Sequence, residues 1–470
     1  MSDMKWGRGP VIKLIIVITG MIDAGWLYAA PAVDSGVIQV ETKPVNDNPD
    51  EFRAGDEGAA AAGEVPDGDL YTLQAAMATA LRDNPGLAEI KARADAMAAV
   101  PSQVGTLPDP RLSFNVMNLP TDSFALSQEP MTQIQFGLYQ AVPFPGKLAL
   151  REEAAKYEAE AMMDNVGEVR LSLQHDVKVT WWRLFNLDRS LQIVARNQEL
   201  LRQFIKIAQT KYSVGQGLQQ DVLLAQLELS KLQDLKLRLR GMRHNEEARF
   251  AALLDIPPDR PVRVPMQVDP ELPELADERA LYTMADQFKP LLAGQQKLIQ
   301  AADSRLELAK KDYYPDFNVG ATYGVRSGYN PDGGSRADFA SVMFSMNLPI
   351  FTGRKQSKAV DQRRSEWLEK NFKLHSLRNK VHADISAAVS DYHRAREQAG
   401  LFETGIIPQA RQTVSSMLAG YQVNKVDFLN LVRSQITLYN YEMNYWQSLS
   451  EANQALARLV MAVGVETVYE

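Results

Sequence analysis

The sequence predicts a mainly α protein in which long coiled-coil helical hairpins, duplicated along the chain, carry a small β part of four strands. Three observations predict it. Landmarks recur in one order: Pro110-Arg-Leu-Ser-Phe114, Val142-Pro-Phe-Pro-Gly-Lys147, Tyr212-Ser-Val-Gly215 and Asp221-Val-Leu-Leu-Ala225 are echoed by Pro315-Asp-Phe-Asn-Val319, Leu348-Pro-Ile-Phe-Thr-Gly-Arg354, Tyr421-Gln-Val-Asn424 and Asp427-Phe-Leu-Asn-Leu431. The offset, about 207 residues, is too long for a solenoid period, so a whole half-domain is repeated. Next, Lys147 to Tyr212 contains no proline and a single interior glycine, Gly167, which allows one helix of roughly 100 Å at about 1.5 Å per residue. Finally, four short segments alternate apolar residues with small or polar ones at a period of two.

In chain order, residues 1–30 read as a signal peptide: Lys5 and Arg8 precede the apolar run Val11 to Ile22, and Ala29, Ala30 and Ala32 follow it. The run is shorter than the ~20 apolar residues of a membrane-spanning helix, although Asp23 and Tyr28 leave an uncleaved anchor open. Residues 31–69 are acidic, Ala/Gly/Pro-rich and aperiodic, the composition of a flexible arm. A first repeat over 70–256 comprises an amphipathic helix from Leu70 to Met97, a β-hairpin, the long helix, a turn at Gly215 and Gly217, and a return helix from Asp221 to Leu254 with Leu229, Leu232, Leu239 and Met242 on one face. Residues 257–289 form a connection, irregular from Pro257 to Pro273 and helical from Asp277 to Phe288. The second repeat, 290–465, has a helix from Pro290 to Asp312, a β-hairpin, and an outgoing helix from Arg354 to Gly420 kinked at Gly405 and Pro408. Its return helix carries Leu429, Val432, Ile436, Tyr439, Met443 and Trp446 at spacings of three and four, a coiled-coil seam.

The strands are two-faced. Leu112, Phe114 and Val116, then Ile134, Phe136 and Leu138, then Phe317 to Val325 and Val342 to Leu348 place apolar groups opposite Ser113, Asn115, Gln135, Gly137, Asn318, Gly320, Thr322, Gly324, Met343, Ser345 and Asn347. Two readings are open: half-buried hairpins on a soluble core, or the wall of a membrane barrel with Phe114, Phe136, Tyr323 and Phe344 facing lipid. Strands of about 8 to 11 residues suit a tilted crossing, and an exported chain with no second hydrophobic helix enters a membrane only as a closed barrel. Four strands cannot enclose a lumen, since even a side-chain-filled barrel needs about eight; several chains must contribute. Three chains and twelve strands are the smallest odd-numbered solution with an open interior.

Composition narrows the chemistry. A net charge of -7 with both signs interspersed provides no basic stripe for nucleic acid. The absence of cysteine excludes disulfides, thiolate metal sites, a thiol nucleophile and lipidation on an N-terminal cysteine. Neither phosphate-binding glycine loops nor a His-Glu-x-x-His helix occurs. His375 and His382 share a helix face without a third ligand, Trp181-Trp182 reads as packing, and Met117 and Met131 are soft groups as suited to packing as to a cation. No catalytic residue, resident metal or cofactor is expected.

Leu107-Pro-Asp-Pro-Arg-Leu112, Gln140-Ala-Val-Pro-Phe-Pro-Gly-Lys147, Lys211-Tyr-Ser-Val-Gly215 with Gln220-Asp-Val222, Tyr421-Gln-Val with Val426-Asp-Phe-Leu429, and Asn453-Gln-Ala-Leu-Ala-Arg-Leu459 together resemble the TolC-type outer-membrane efflux proteins, over residues 70–465. The resemblance implies a homotrimer with a twelve-strand β-barrel in the outer membrane of a Gram-negative bacterium and a twelve-helix α-barrel through the periplasm. It implies a passive exit duct of a tripartite efflux system, gated at its periplasmic helix tips and coupled through a periplasmic adaptor (membrane-fusion) protein to an inner-membrane pump of the resistance-nodulation-division type. Val214, Gly215, Val423 and Asn424 then form the adaptor-facing tips, with Asn424 standing where the family has glycine. Asp221 and Asp427 fall near the aperture, and neutral Asn430 lies one turn beyond Asp427. Both aspartates are open to two roles, capping helix N-termini or forming a cation-selecting gate. Glu129-Pro-Met-Thr132 with the Pro-Phe-Pro-Gly turn resembles members that accompany heavy-metal cation pumps, with drugs and proteins as the other cargo classes. From a different class, a soluble periplasmic coiled-coil scaffold would also use these helices.

Overall fold

The computed structural model describes residues 69–268 and 272–469. The signal peptide and residues 31–68 of the arm lie outside them. The arm's last residue belongs to a short strand, β1 (Asp69–Leu70). Three helices follow, α1 (Leu73–Asp83), α2 (Pro85–Ala98) and α3 (Val100–Gly105), where the sequence predicts one helix over 70–97. Pro85 causes the break: its ring disfavours helical geometry at Asn84, which is extended with ψ 120° and caps α2 by accepting the Leu87 N–H at 3.0 Å.

The first β-hairpin, β2 (Arg111–Met117) and β3 (Gln133–Val142), leads through Pro143 and Pro145 into α4 (Lys147–Ser213), an unbroken helix of 67 residues. The return helix is α5 (Gln219–Leu254). Within the stretch read as irregular lies β4 (Val262–Arg263), which pairs in parallel with β1. Next come α6 (Glu278–Phe288), capped by Asp277 accepting the Arg279 N–H at 3.1 Å, and α7 (Pro290–Lys311). The second half continues with β5 (Phe317–Val325), β6 (Phe339–Met346), α8 (Gln356–Leu401), a π-helical turn (Phe402–Ile406), α9 (Ile407–Gln422) and α10 (Phe428–Val463).

The four long strands form one antiparallel sheet in the order β2-β3-β5-β6, so that the two hairpins join through β3 and β5 and leave β2 and β6 as edges. The helices hold separate apolar clusters. Trp181, Trp182 and Phe185 of α4 meet Phe250 of α5 and Ala76 and Ala80 of α1. Further along α4, Val194, Leu201, Phe204 and Ala208 meet Leu232 of α5 and Phe428, Leu431 and Val432 of α10. A third cluster joins α6, α8 and the end of α10.

Where the sequence predicts a kink at Gly405 and Pro408, the helix carries the π turn. Pro408 has no N–H to continue an α-helical ladder, and the turn changes the phase of the helix. The buried residues of α8 are Val381, Ile385, Ala388, Tyr392, Ala395 and Ala399, a series that a continuous helix would carry to positions 402 and 406. Instead it resumes one residue later, with Ile407, half-buried Ala410, Val414 and Met417, and Tyr421. At about 100° per residue, the extra residue in the turn keeps both stretches facing one way. The seam on α10 also differs from its sequence reading. The buried line is Phe428, Leu431, Val432, Gln435, Leu438 and Glu442, Leu429 is exposed, and Ile436, Tyr439 and Met443 flank the line half-buried. Because α10 packs against α4 as well as α8, its buried face is wider than a two-helix seam. On α5, Leu232 and Leu239 are buried while Met242 is exposed.

Candidate functional site

The sheet separates two chemistries. Its registers place Phe114 opposite Phe136, Phe136 opposite Tyr323 and Val319 opposite Phe344, so all four residues singled out from the sequence share one face. Leu112, Val116, Leu138, Ala321, Val342 and Met346 extend the same face. It is left uncovered: Phe114 is 62%, Phe136 47%, Tyr323 50% and Phe344 59% exposed. Burying one large apolar side chain is worth about 1.5–3 kcal/mol, and soluble monomers rarely expose contiguous apolar patches of this extent. The opposite face carries Ser113, Asn115, Gln135, Gly137, Gly320 and Thr322 together with the larger Tyr139, Phe339 and Met343. Gln135 Nε2 donates to Thr322 Oγ1 at 3.1 Å, and Tyr139 lies over Gly320, where a Cβ would come within 2.5 Å of its ring.

At the other end of the long helices the two hairpins close in equivalent turns. Gly215 N–H donates to Tyr212 O at 3.0 Å and Gln216 N–H to Lys211 O at 2.8 Å; Asn424 N–H donates to Tyr421 O at 3.2 Å and Lys425 N–H to Gly420 O at 2.8 Å. Gly215 (φ 75°) and Asn424 (φ 58°) are both left-handed, a conformation that asparagine tolerates better than most residues. Val214 and Val423 are each exposed beside them. A Cβ on Gly217 would meet the Lys211 side chain at 2.9 Å, and one on Gly420 would meet Val426 at 2.5 Å. Each turn thus keeps a glycine on one side of the same close contact.

These bonds correct the pairing of the aspartates. They set an offset of 209 residues at the tips (Tyr212 to Tyr421), which matches Asp221 with Asn430 and Leu218 with Asp427. Asp221 is the third residue of α5, whereas Asp427 occupies the N-cap position of α10, and neither N-cap side chain makes a capping bond. The charge of Asp427 still reaches Asp221. Burial raises the Asp221 carboxyl above its ordinary range; the Leu218 backbone opposes this, the charge of Asp427 adds to it, and Lys211 partly offsets it.

Lys211 ties one tip to the other. Its Nζ donates to Asn424 Oδ1 at 2.6 Å and to Tyr421 O at 2.5 Å, and stands 4.2 Å from the Tyr421 ring centroid. The Tyr421 hydroxyl is buried without a hydrogen-bond partner among the described residues, and burial, with the charge of Asp221, raises its pKa. Asn430 is exposed. The sequence signalled neither this link nor Lys147, buried between Asp312 and Asp316 at 2.9 Å from each.

The remaining candidates are dispersed. Trp181 and Trp182 are core residues, and His382 packs on Tyr282 at 4.6 Å, while His375 has Asn379 beside it. Met117 and Met131 are exposed near the loop end of the first hairpin. Among the described residues no group of three or more His, Cys, Asp or Glu could hold a metal ion. A cavity of about 710 Å³ beside the π turn is lined by Arg189, Arg196, Arg411, Glu403, Glu442 and Trp446, and both Arg196 and Arg411 bind Glu442.

A family model described as outer membrane efflux protein matches residues 76–255 and 281–465, once in each half of the duplication. The chain belongs to this family. It is 20% identical over 412 residues to the cobalt-zinc-cadmium resistance protein CzcC of Cupriavidus metallidurans, covering 84% of this chain and 90% of that one. Its fold is shared with the outer-membrane channel OprN (TM-score 0.71, 17% identity, 83% of this chain and 89% of the other). It is likewise shared with the outer membrane protein VceC of Vibrio cholerae (TM-score 0.70, 16% identity, 84% and 96%). This outer membrane efflux protein is therefore a Gram-negative outer-membrane channel that extends into the periplasm, of the kind that serves tripartite systems, and it is not an enzyme.

Proposed function

We propose that three copies of this efflux protein form a passive exit duct, closed at the Lys211 and Asp221 end and opened when a periplasmic adaptor docks on the tips at Val214, Gly215, Val423 and Asn424. The energy comes from an inner-membrane pump of the resistance-nodulation-division type. The observation that carries this reading is the four-stranded sheet with one uncovered apolar face and two free edges, joined directly to helical hairpins of 67-residue reach. A soluble scaffold would have to leave that face in water, which disfavours it. Heavy-metal cations are the cargo favoured over drugs or proteins, because the similar CzcC is named for cobalt, zinc and cadmium resistance. Selection then belongs to the pump, since a wide duct need not recognise what passes.

Single-channel recording in planar bilayers tests the gate. Lys211→Met, which removes the link between the tips, raises conductance, and Asp221→Ala with Asp427→Ala lowers cation preference. In the unmodified protein, cation preference falls as pH drops through the raised Asp221 value, before ordinary carboxylates titrate. Conductance and selectivity unchanged in both variants would sink the gating assignment.

A further inference from the structure

The duplication relates the inner joint of the sheet to its two free edges. Offsets of 207 for β2 and β5 and 206 for β3 and β6 reproduce the hairpin registers, because Arg111 opposite Tyr139 becomes Asn318 opposite Ser345. The same offsets applied to the joint between β3 and β5 generate a register between β6 and β2. Leu138 opposite Ala321 becomes Phe344 opposite Phe114, and Gln140 opposite Val319 becomes Met346 opposite Leu112. Phe136 opposite Tyr323 becomes Val342 opposite Val116, so Leu112, Phe114 and Val116 meet Met346, Phe344 and Val342 on the apolar face.

Inside the chain this joint is locked by an ion pair just below the strands. Lys147, 2% exposed, reaches Asp316 at 2.9 Å, Asp316 accepts the Phe144 N–H at 2.8 Å, and Phe144 stacks on Tyr314 with centroids 4.5 Å apart. At an offset of 207 the counterparts are Arg354 for Lys147, Asp109 for Asp316, Phe351 for Phe144 and Leu107 for Tyr314. Asp109 and Arg354 are exposed and make no ion pair among the described residues, while Phe351 is 69% and Leu107 46% exposed. They cannot meet within one chain, since β2 and β6 are three strand spacings apart, roughly 14 Å at about 4.8 Å each.

Where β6 of one protomer meets β2 of the next copy of this chain, we propose that the strands pair in this register, with Phe344 opposite Phe114 of the partner subunit. Arg354 then binds Asp109 of the partner subunit as Lys147 binds Asp316, and Phe351 covers Leu107 of the partner subunit. The counterpart of Asp312 is Gly105, so this lock has one carboxylate where the inner one has two, and an arginine fork meets a single carboxylate through two bonds. The proposal rests on the exit-duct reading, which needs the edges to close.

The native absence of cysteine makes disulfide trapping in outer membranes direct. Phe114→Cys combined with Phe344→Cys, oxidised with copper phenanthroline, converts most of the chain to covalent trimer on non-reducing gels. Val116→Cys with Phe344→Cys, two residues out of register, does not. Asp109→Arg or Arg354→Asp alone causes loss of the heat-resistant trimer band, and the double exchange restores it. Efficient trapping of the out-of-register pair, or a native trimer that neither pair traps, overturns the register while leaving the duct intact. A double exchange no better than the single variants overturns the ion pair. A wild-type chain that stays monomeric in the membrane overturns the exit-duct reading and the edge pairing together.

Discussion

Phe136→Lys and Phe344→Lys each remove the channel from the outer membrane, whereas Asn115→Lys is tolerated. Phe136 and Phe344 lie on the apolar face, and Asn115 lies on the polar one. A lysine on the lipid face near the bilayer midplane costs about 2–4 kcal/mol, and a trimer carries each substitution three times, so the summed cost is roughly 6–12 kcal/mol. That exceeds the stability margin of many folded domains. A lysine at Asn115 points into water and leaves the strand pairing unchanged. Membrane fractionation and heat-modifiable mobility on gels measure the outcome. Wild-type amounts of assembled trimer for both phenylalanine variants would refute a lipid-facing sheet.

Lys147→Met weakens the junction between sheet and helix. The lysine is almost fully buried, and it compensates Asp312 and Asp316, which arrive from the far end of α7 and the start of β5. Removing one partner of a buried pair costs about 3–5 kcal/mol; the low end applies because both aspartates keep substantial contact with water. Differential scanning calorimetry of the purified trimer reads the loss as a lower unfolding temperature.

The effect depends on pH in a definite direction. Burial pushes the Asp316 carboxyl up, but the Phe144 N–H and the Lys147 ammonium outweigh it and hold the group below its ordinary 3.8. A carboxyl depressed in the folded state contributes stability above its unfolded value and loses it as pH falls through the folded value. The gap between wild type and Lys147→Met is therefore full near neutrality and narrows below about pH 4. A gap constant down to pH 2 would show that Lys147 acts through packing alone.

What could be read from the sequence follows from how local the signal is. The long helices and the four strands were legible because proline-free stretches and period-two alternation are properties of neighbouring residues. The break at Asn84 was legible in principle, since Asn-Pro is a boundary signal, but the apolar periodicity on either side concealed it. β1 and β4 have two residues each, too few for any pattern. The aspartates were mismatched because Asp221-Val-Leu-Leu and Asp427-Phe-Leu-Asn look alike, whereas the backbone bonds of the turns set the true offset. Lys147 follows Gly146 at the start of the long helix; its carboxylate partners lie 165 and 169 residues away, at Asp312 and Asp316. Lys211 is concealed in the same way, because its acceptors belong to the other hairpin.

The π turn gives the second arm a spare residue. Deleting Pro408 would remove the residue that cannot complete an α-helical ladder and the surplus residue together, so Ala410, Val414, Met417 and Tyr421 would stay on the face of Val381 to Ala399 in a continuous helix, with Ile407 swung off it. Deleting a residue from the middle of α4, which has no such turn, would swing every side chain beyond it by about 100°. One arm of the duct is thus open to small insertions and deletions, and the other is locked to its length.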